Sequence, residues 1–178
     1  LSDSTALAKL RHVLAQRPPQ LLPASNEDTA AVSLLLRDAG SDLQVLFIER
    51  TEREGDPWSR HIAFPGGRLR DRIETLREAA ERETREEIGI DLGEAEYLGR
   101  LDDLSGTTAE AQVSGFVYLL TPSTRQGTSD RESLEATLTL NREVRSPFWF
   151  DLKDLVDPHR HLNSHFPVCR PAAVATGH

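Results

Sequence analysis

Apolar positions along the chain switch period several times, and the switches mark its elements. Leu7, Leu10, Val13 and Leu14 recur at helical spacing over Thr5 to Gln16, behind a possible cap at Ser4 and before the stop of Pro18-Pro19. Pro23 to Asp28 is polar and reads as a linker. Thr29 to Arg37 and Leu43 to Glu49 have strand content and flank the turn residues Asp38-Ala39-Gly40-Ser41-Asp42, which predicts an antiparallel hairpin. Thr51 to Ser59 is a charged loop, and Ile62-Ala63-Phe64 a short strand broken by Pro65-Gly66-Gly67.

A helix is predicted from about Thr75 to Ile88, ended by Gly89, with Leu76, Ala80, Thr84 and Ile88 as its apolar stripe. Glu94 to Leu101, Gln112 to Leu120 and Ser146 to Phe150 read as strands, and Leu134 to Leu140 as an edge strand after a loop from Thr121 to Ser133. A short helix is expected near Leu152 to Val156, and no period is visible from His159 to His178. Strands around one central helix, with helical ends, make an α+β arrangement in which helices cover a mixed sheet. The organisation expected is an N-terminal helix and linker over residues 1–25, a main domain over 26–160 and a tail over 161–178.

Composition narrows what such a domain can do. With 178 residues, 38% hydrophobic and 28% charged, the chain can bury a core. A formal charge of -8 argues against a nucleic-acid backbone as partner, since that needs a basic field. No apolar run is long enough to predict a membrane-spanning helix. One cysteine, Cys169, leaves no internal disulfide and fits a reducing compartment such as cytoplasm or an organellar matrix. The chain starts at Leu1 without a methionine, so nothing about a leader peptide follows.

Chemistry concentrates between Gly66 and Ile90. Residues three and four apart share a helix face, so Glu83, Glu86 and Glu87 project together, a crowding that costs about 0.2–0.5 kcal/mol per like-charged pair. A hard divalent cation with oxygen ligands, Mg²⁺ or Mn²⁺, would offset it. The bland alternative is a solvated face of ion pairs to Arg77, Arg82 and Arg85. The Gly66-Gly67 turn upstream, where backbone can approach a ligand closely, favours the metal reading.

These residues resemble the signature of the Nudix family: glycine, five residues, glutamate, seven residues, then Arg-Glu-aliphatic-x-Glu-Glu-x-Gly-aliphatic. Here Gly67 and Glu74 precede Arg82-Glu83-Thr84-Arg85-Glu86-Glu87-Ile88-Gly89-Ile90. Six residues rather than five separate Gly67 from Glu74, and Thr84 stands at an aliphatic position. The resemblance implies an α/β/α sandwich with a catalytic loop-helix-loop and a metal-dependent diphosphatase. It implies Glu83, Glu86, Glu87 and the Gly67 carbonyl as metal ligands, Arg82 as the arginine orienting the glutamates, and Glu74 as its network partner. The general base often lies outside this segment in the family; Glu143 is the candidate, with Glu132 and Glu135 as alternatives. Family members are often homodimers.

A second segment resembles the coenzyme A diphosphatases of that family. Leu46-Phe47-Ile48-Glu49-Arg50 and Trp58-Ser59-Arg60-His61-Ile62-Ala63-Phe64-Pro65-Gly66-Gly67 are similar to a Leu-Leu-Thr-x-Arg segment followed by His-x-Gly-x-Val-Ala-Phe-Pro-Gly-Gly. Trp58 replaces the histidine, Arg60 the glycine, and Arg70 an expected acid. The implied substrate is a small nucleotide, coenzyme A or an acyl derivative, with ADP-ribose, NADH or another nucleoside diphosphate as alternatives. A third reading is a nucleotide-binding module without catalysis. Arg50, Arg53 and Arg60 are candidate phosphate ligands, with Trp58 and Gly66 beside them, although Trp58 is equally a packing anchor and isolated arginines are usually solvated. His61 reads as a satisfied histidine rather than a metal ligand.

Overall fold

Period-two burial along the strands sorts the molecule into three layers. The computed structural model describes residues 5–23, 29–40, 42–56, 58–71, 73–105, 112–121 and 138–161. Its order is α1 (Thr5–Gln16), β1 (Thr29–Asp38), β2 (Leu43–Arg50), β3 (Ile62–Ala63), β4 (Gly66–Arg68), α2 (Leu76–Ile88), β5 (Glu96–Arg100), β6 (Leu104–Ser105), β7 (Gln112–Leu119), β8 (Val144–Asp151) and α3 (Leu152–Val156). Ala31, Leu35, Leu46, Ile48, Phe116, Tyr118 and Leu120 face α2, where Ala79, Ala80 and Ile88 meet them. The alternate positions Leu36, Leu43, Val45, Val117 and Leu119 face the other way, onto Leu7, Leu10 and Leu14 of α1 and Leu152 of α3. The α/β/α sandwich is as expected.

The sheet is mixed: β1 runs parallel to β7 from Thr29 to Leu36, and its other neighbours are antiparallel. The predicted hairpin is present, with Leu36 opposite Val45. Beyond that point β1 and β2 diverge. β1 takes β4 as partner, Ala30 opposite Arg68, while β2 takes β3, Ile48 opposite Ala63. The stretch from Ile62 to Arg68 therefore lies in a fork of the sheet, and the Pro65 carbonyl accepts from Ser33 N at 2.8 Å.

Local signals explain α2. Thr75 Oγ1 accepts from Glu78 N while the Glu78 carboxylate accepts from Thr75 N, a reciprocal cap that satisfies two orphan donors. Gly89, at φ 78°, closes the other end by donating to the Arg85 carbonyl. Thr84, at the aliphatic position of the signature, is fully buried, and its hydroxyl is satisfied by the Ala80 carbonyl at 2.7 Å. Ala79 joins the buried stripe, whereas Leu76 is only partly covered.

Several expectations change. Gly66-Gly67 does not merely break a strand; it begins β4, and Leu104-Ser105 adds a short β6. Glu94 closes a 3-10 turn, so β5 starts at Glu96. β8 is longer than Ser146 to Phe150 at both ends. Residues 138–140 are not in a strand; the rest of that predicted edge strand, most of the preceding loop, Ser4, Glu132, Glu135, Cys169 and the tail from 162 lie outside the described residues. The N-terminal helix packs on β5, joined by the Arg11–Glu96 ion pair at 2.6 Å. No helix among the described residues is long and apolar enough to cross a membrane.

Candidate active site

Arg82 is the hub of the outer face of α2. Its Nε and Nη2 reach Glu74 at 2.7 and 3.2 Å, its Nη1 reaches Glu83 at 2.6 Å and Glu86 at 3.4 Å, and Nη2 also donates to the Arg68 carbonyl at 3.1 Å. The two-pronged contact fixes the guanidinium plane. The hydrogen bonds from Arg82, outweighing burial, hold the Glu74 carboxyl below the usual range and push the Arg82 pKa up. The extra residue before Glu74 does not disturb this network. Asp71 accepts from Ile73 N and Glu74 N, and Glu74 accepts from Arg70 N, so the loop folds over the helix start.

The three glutamates do not share one environment. Glu83 is partly buried and Glu86 half exposed, but Glu87 retains only 3% of its surface. Helical spacing put all three on one open face; the structure turns Glu87 inward, toward the fork. Its Oε2 accepts from Gly66 N at 2.9 Å, and its own carbonyl accepts from Asn141 N at 3.0 Å. Burial pushes its pKa up to about 7; the Gly66 amide and Arg50 pull it down, while Glu83 and Glu143 push it further up.

Both glycines of the turn are there for close approach. At Gly66, φ is 155° and a Cβ would lie 2.3 Å from the Ala31 carbonyl oxygen. At Gly67 a Cβ would lie 2.6 Å from Glu83 Cδ, so this backbone lies against the carboxylate.

Among the described residues no three His, Cys, Asp or Glu side chains converge on one point as they stand. Glu83 is turned to Arg82, Glu86 to Arg70 at 3.1 Å, and Glu87 to Gly66. The donor set nevertheless fits a hard divalent cation. It is all oxygen, and its innermost carboxylate accepts from a backbone amide rather than an ion-pair partner. Glu86 is tethered by the exposed Arg70, a contact worth about 0–1 kcal/mol, and by a long 3.4 Å contact to Arg82. Mg²⁺ or Mn²⁺ would be held by Glu83, Glu86 and Glu87, with the Gly67 backbone beside them.

Next to this face lies a cleft of about 310 Å³ lined by Arg50, Thr51, Glu52, Arg53, Asp56, Arg142 and Glu143. Glu143, which precedes β8 as expected, is part exposed here and loosely opposed by Arg53 at 3.8 Å. Thr51 ties the two walls together, its N and Oγ1 donating to the carbonyls of Glu143 and Arg142. Arg50 reaches Asp56 at 3.2 Å. Arg60 stands outside the cleft, paired at 3.8 Å with Glu52, and Trp58 is 64% exposed with its ring edge-on to His61. Asp56 and Arg142 were not anticipated. Nothing in the linear sequence joins positions 50–56 to 142–143.

Arg60 has φ 61°, the one non-glycine residue with positive φ among those described. This is a left-handed conformation that glycine adopts more readily than arginine. Residues 27–170 match the NUDIX domain. The chain belongs to the NUDIX domain family. It is 30% identical over 156 residues to Nudix hydrolase 3 of Caenorhabditis elegans, covering 84% of this chain and 59% of that protein. It is 38% identical over 125 residues to an uncharacterized Schizosaccharomyces pombe protein, covering 64% of this chain and 33% of that one. The chain thus spans between a third and three-fifths of these relatives. The solved C. elegans Ap4A hydrolase shares its fold, with TM-score 0.53 and 20% identity over 72% of this chain and 83% of that one. A MutT/nudix protein from Enterococcus faecalis has TM-score 0.50 and 20% identity, covering 83% and 51%. The matched region includes α2 and the turn before it, where the described carboxylates and Arg82 gather.

Proposed function

We propose that the protein is a divalent-metal-dependent hydrolase of a nucleoside diphosphate derivative, coenzyme A or an acyl-coenzyme A, giving 3',5'-ADP and (acyl-)4'-phosphopantetheine. The observation that carries the hydrolase reading is the arrangement of Glu83, Glu86 and Glu87 around Arg82 and the Gly66-Gly67 turn. Retaining a carboxylate in the interior at Glu87 costs stability, and a binding role for a cation accounts for it.

A bound Mg²⁺ or Mn²⁺ would neutralise the diphosphate and acidify water. The chain's own residues do the rest. Arg82 holds Glu83 and Glu86 in place, and Glu74 holds Arg82. Glu143, at the cleft wall, accepts a proton from the attacking water. Arg50 faces both the cleft and Glu87 and binds substrate phosphate. Support for coenzyme A comes from the segment Leu46 to Gly67, including the left-handed backbone at Arg60. Trp58, exposed at that loop, offers an aromatic face to the base, and Arg60 a guanidinium to the diphosphate.

The test is a substrate panel with Mg²⁺ and with Mn²⁺: coenzyme A, acetyl-coenzyme A, ADP-ribose, NADH and a nucleoside triphosphate, with products separated by chromatography. Coenzyme A turnover at least tenfold above the others in kcat/KM is expected. Preference for ADP-ribose or NADH would replace the substrate and keep the reaction. Binding without turnover of any of them would make this a recognition module.

A further inference from the structure

The cleft beside α2 is lined by three arginines, Arg50, Arg53 and Arg142, with donors left over. Several guanidinium groups elsewhere sit close on carboxylates, such as Arg11–Glu96 at 2.6 Å, Arg82–Glu74 at 2.7 Å, Arg100–Asp103 at 2.7 Å and Arg145–Glu49 at 2.8 Å. In the cleft, Arg50 meets Asp56 at 3.2 Å through one nitrogen, and its Nε is buried with no hydrogen-bond partner. Arg53 stands 3.8 Å from Glu143, beyond hydrogen-bond range. Arg142, on the facing wall, has no ion pair or side-chain hydrogen bond among the described residues. Of the acids here, Asp56 already accepts from Trp58 N and Arg50, while Glu52 and Glu143 make only loose 3.8 Å approaches, to Arg60 and Arg53. A buried unpartnered N–H costs about 1–3 kcal/mol, which an incoming acceptor recovers.

We propose that this cleft binds a second anionic group of the substrate, a phosphomonoester on the nucleotide part, with Arg53 and Arg142 gripping it from opposite walls and Arg50 lying between it and the diphosphate. Three guanidinium groups with unused donors match a dianionic phosphate better than a carboxylate or a neutral ribose. The proposal rests on the placement of the diphosphate at the α2 glutamates. It makes the enzyme selective for nucleotides with a phosphate beyond the scissile diphosphate.

Two measurements separate the proposal from the functional reading beneath it. The first is calorimetric binding of adenosine 3',5'-bisphosphate and adenosine 5'-monophosphate with Mg²⁺ present, to wild type and to R53A/R142A. Arg53 and Arg142 are exposed, and unchanged circular dichroism and melting confirm that the variant folds. Wild type is expected to bind the bisphosphate at least tenfold more tightly, and the variant with a ratio below about threefold. Equal binding of the two nucleotides by wild type, or an unchanged ratio in the variant, overturns the proposal. The second is the kcat/KM ratio of coenzyme A to its counterpart lacking the 3'-phosphate, which should fall by the same factor in R53A/R142A. Coenzyme A turnover with no such preference would refute the cleft alone. Bisphosphate selectivity without hydrolysis of any diphosphate would refute the hydrolase reading and uphold the cleft.

Discussion

Replacing Glu87 by glutamine should make the metal-free protein more stable while removing its activity. Glu87 is 3% exposed and its pKa is raised from 4.5 to about 7, chiefly by burial. A pKa raised in the folded state means that stability is fully present below pH 4.5 and lost as pH rises through about 7. At about 1.36 kcal/mol per pKa unit, ionised Glu87 costs the metal-free protein about 3 kcal/mol at pH 8 and under about 1 kcal/mol at pH 5. Glutamine has nearly the same shape and keeps the acceptor for Gly66 N, but its amide N–H₂ needs partners, a cost of about 1 kcal/mol.

The net expectation for E87Q is a gain of about 2 kcal/mol at pH 8 and almost none at pH 5. Urea melts of both proteins at the two pH values, in chelator and in Mg²⁺, read this directly. In a chain of this size 2 kcal/mol corresponds to about 4–8 °C in Tm. Mg²⁺ should raise wild-type stability and have much less effect on E87Q, because ligand binding to the folded state is the source of the gain. If E87Q is destabilised equally at pH 5 and pH 8, Glu87 is not an uncompensated interior carboxylate and the reasoning fails.

Other variants probe the parts around it. E74Q should lose about 1.5–3 kcal/mol near neutral pH, the worth of a charged hydrogen-bonded pair. Because the Glu74 carboxyl is held below 4.5, that deficit should disappear as pH falls through the depressed pKa, visible in acid titrations followed by fluorescence. G67A should fold, since the clash falls on the end of the flexible Glu83 side chain, yet lose at least about a hundredfold in kcat by displacing it. R60G should gain about 0.5–1 kcal/mol by relieving a left-handed arginine, with a higher KM for coenzyme A if the side chain touches substrate.

Much of this arrangement is legible along the chain because its determinants are local. Thr75, Glu78 and Gly89 delimit α2 within one stretch of sequence, and Arg82 is eight residues from Glu74 and one from Glu83. Thr84 looks like a flaw in the signature, yet one hydrogen bond to Ala80 makes it compatible with the core. What escapes linear reading depends on distant segments. β4 has two glycines, poor strand formers, and exists because β1 pairs with it after parting from β2. Glu87 is closed in by Gly66 and residue 141, which no helical wheel includes. The cleft joins positions about ninety residues apart through Thr51.

The most direct test of the account is hydrolysis of coenzyme A by wild type and by E83Q in Mg²⁺, with products identified by mass. Wild type is expected to release 3',5'-ADP and 4'-phosphopantetheine, a reaction abolished by chelator and reduced at least about a thousandfold in E83Q, which still unfolds cooperatively. Near-wild-type hydrolysis by folded E83Q, or by wild type in chelator, would contradict it.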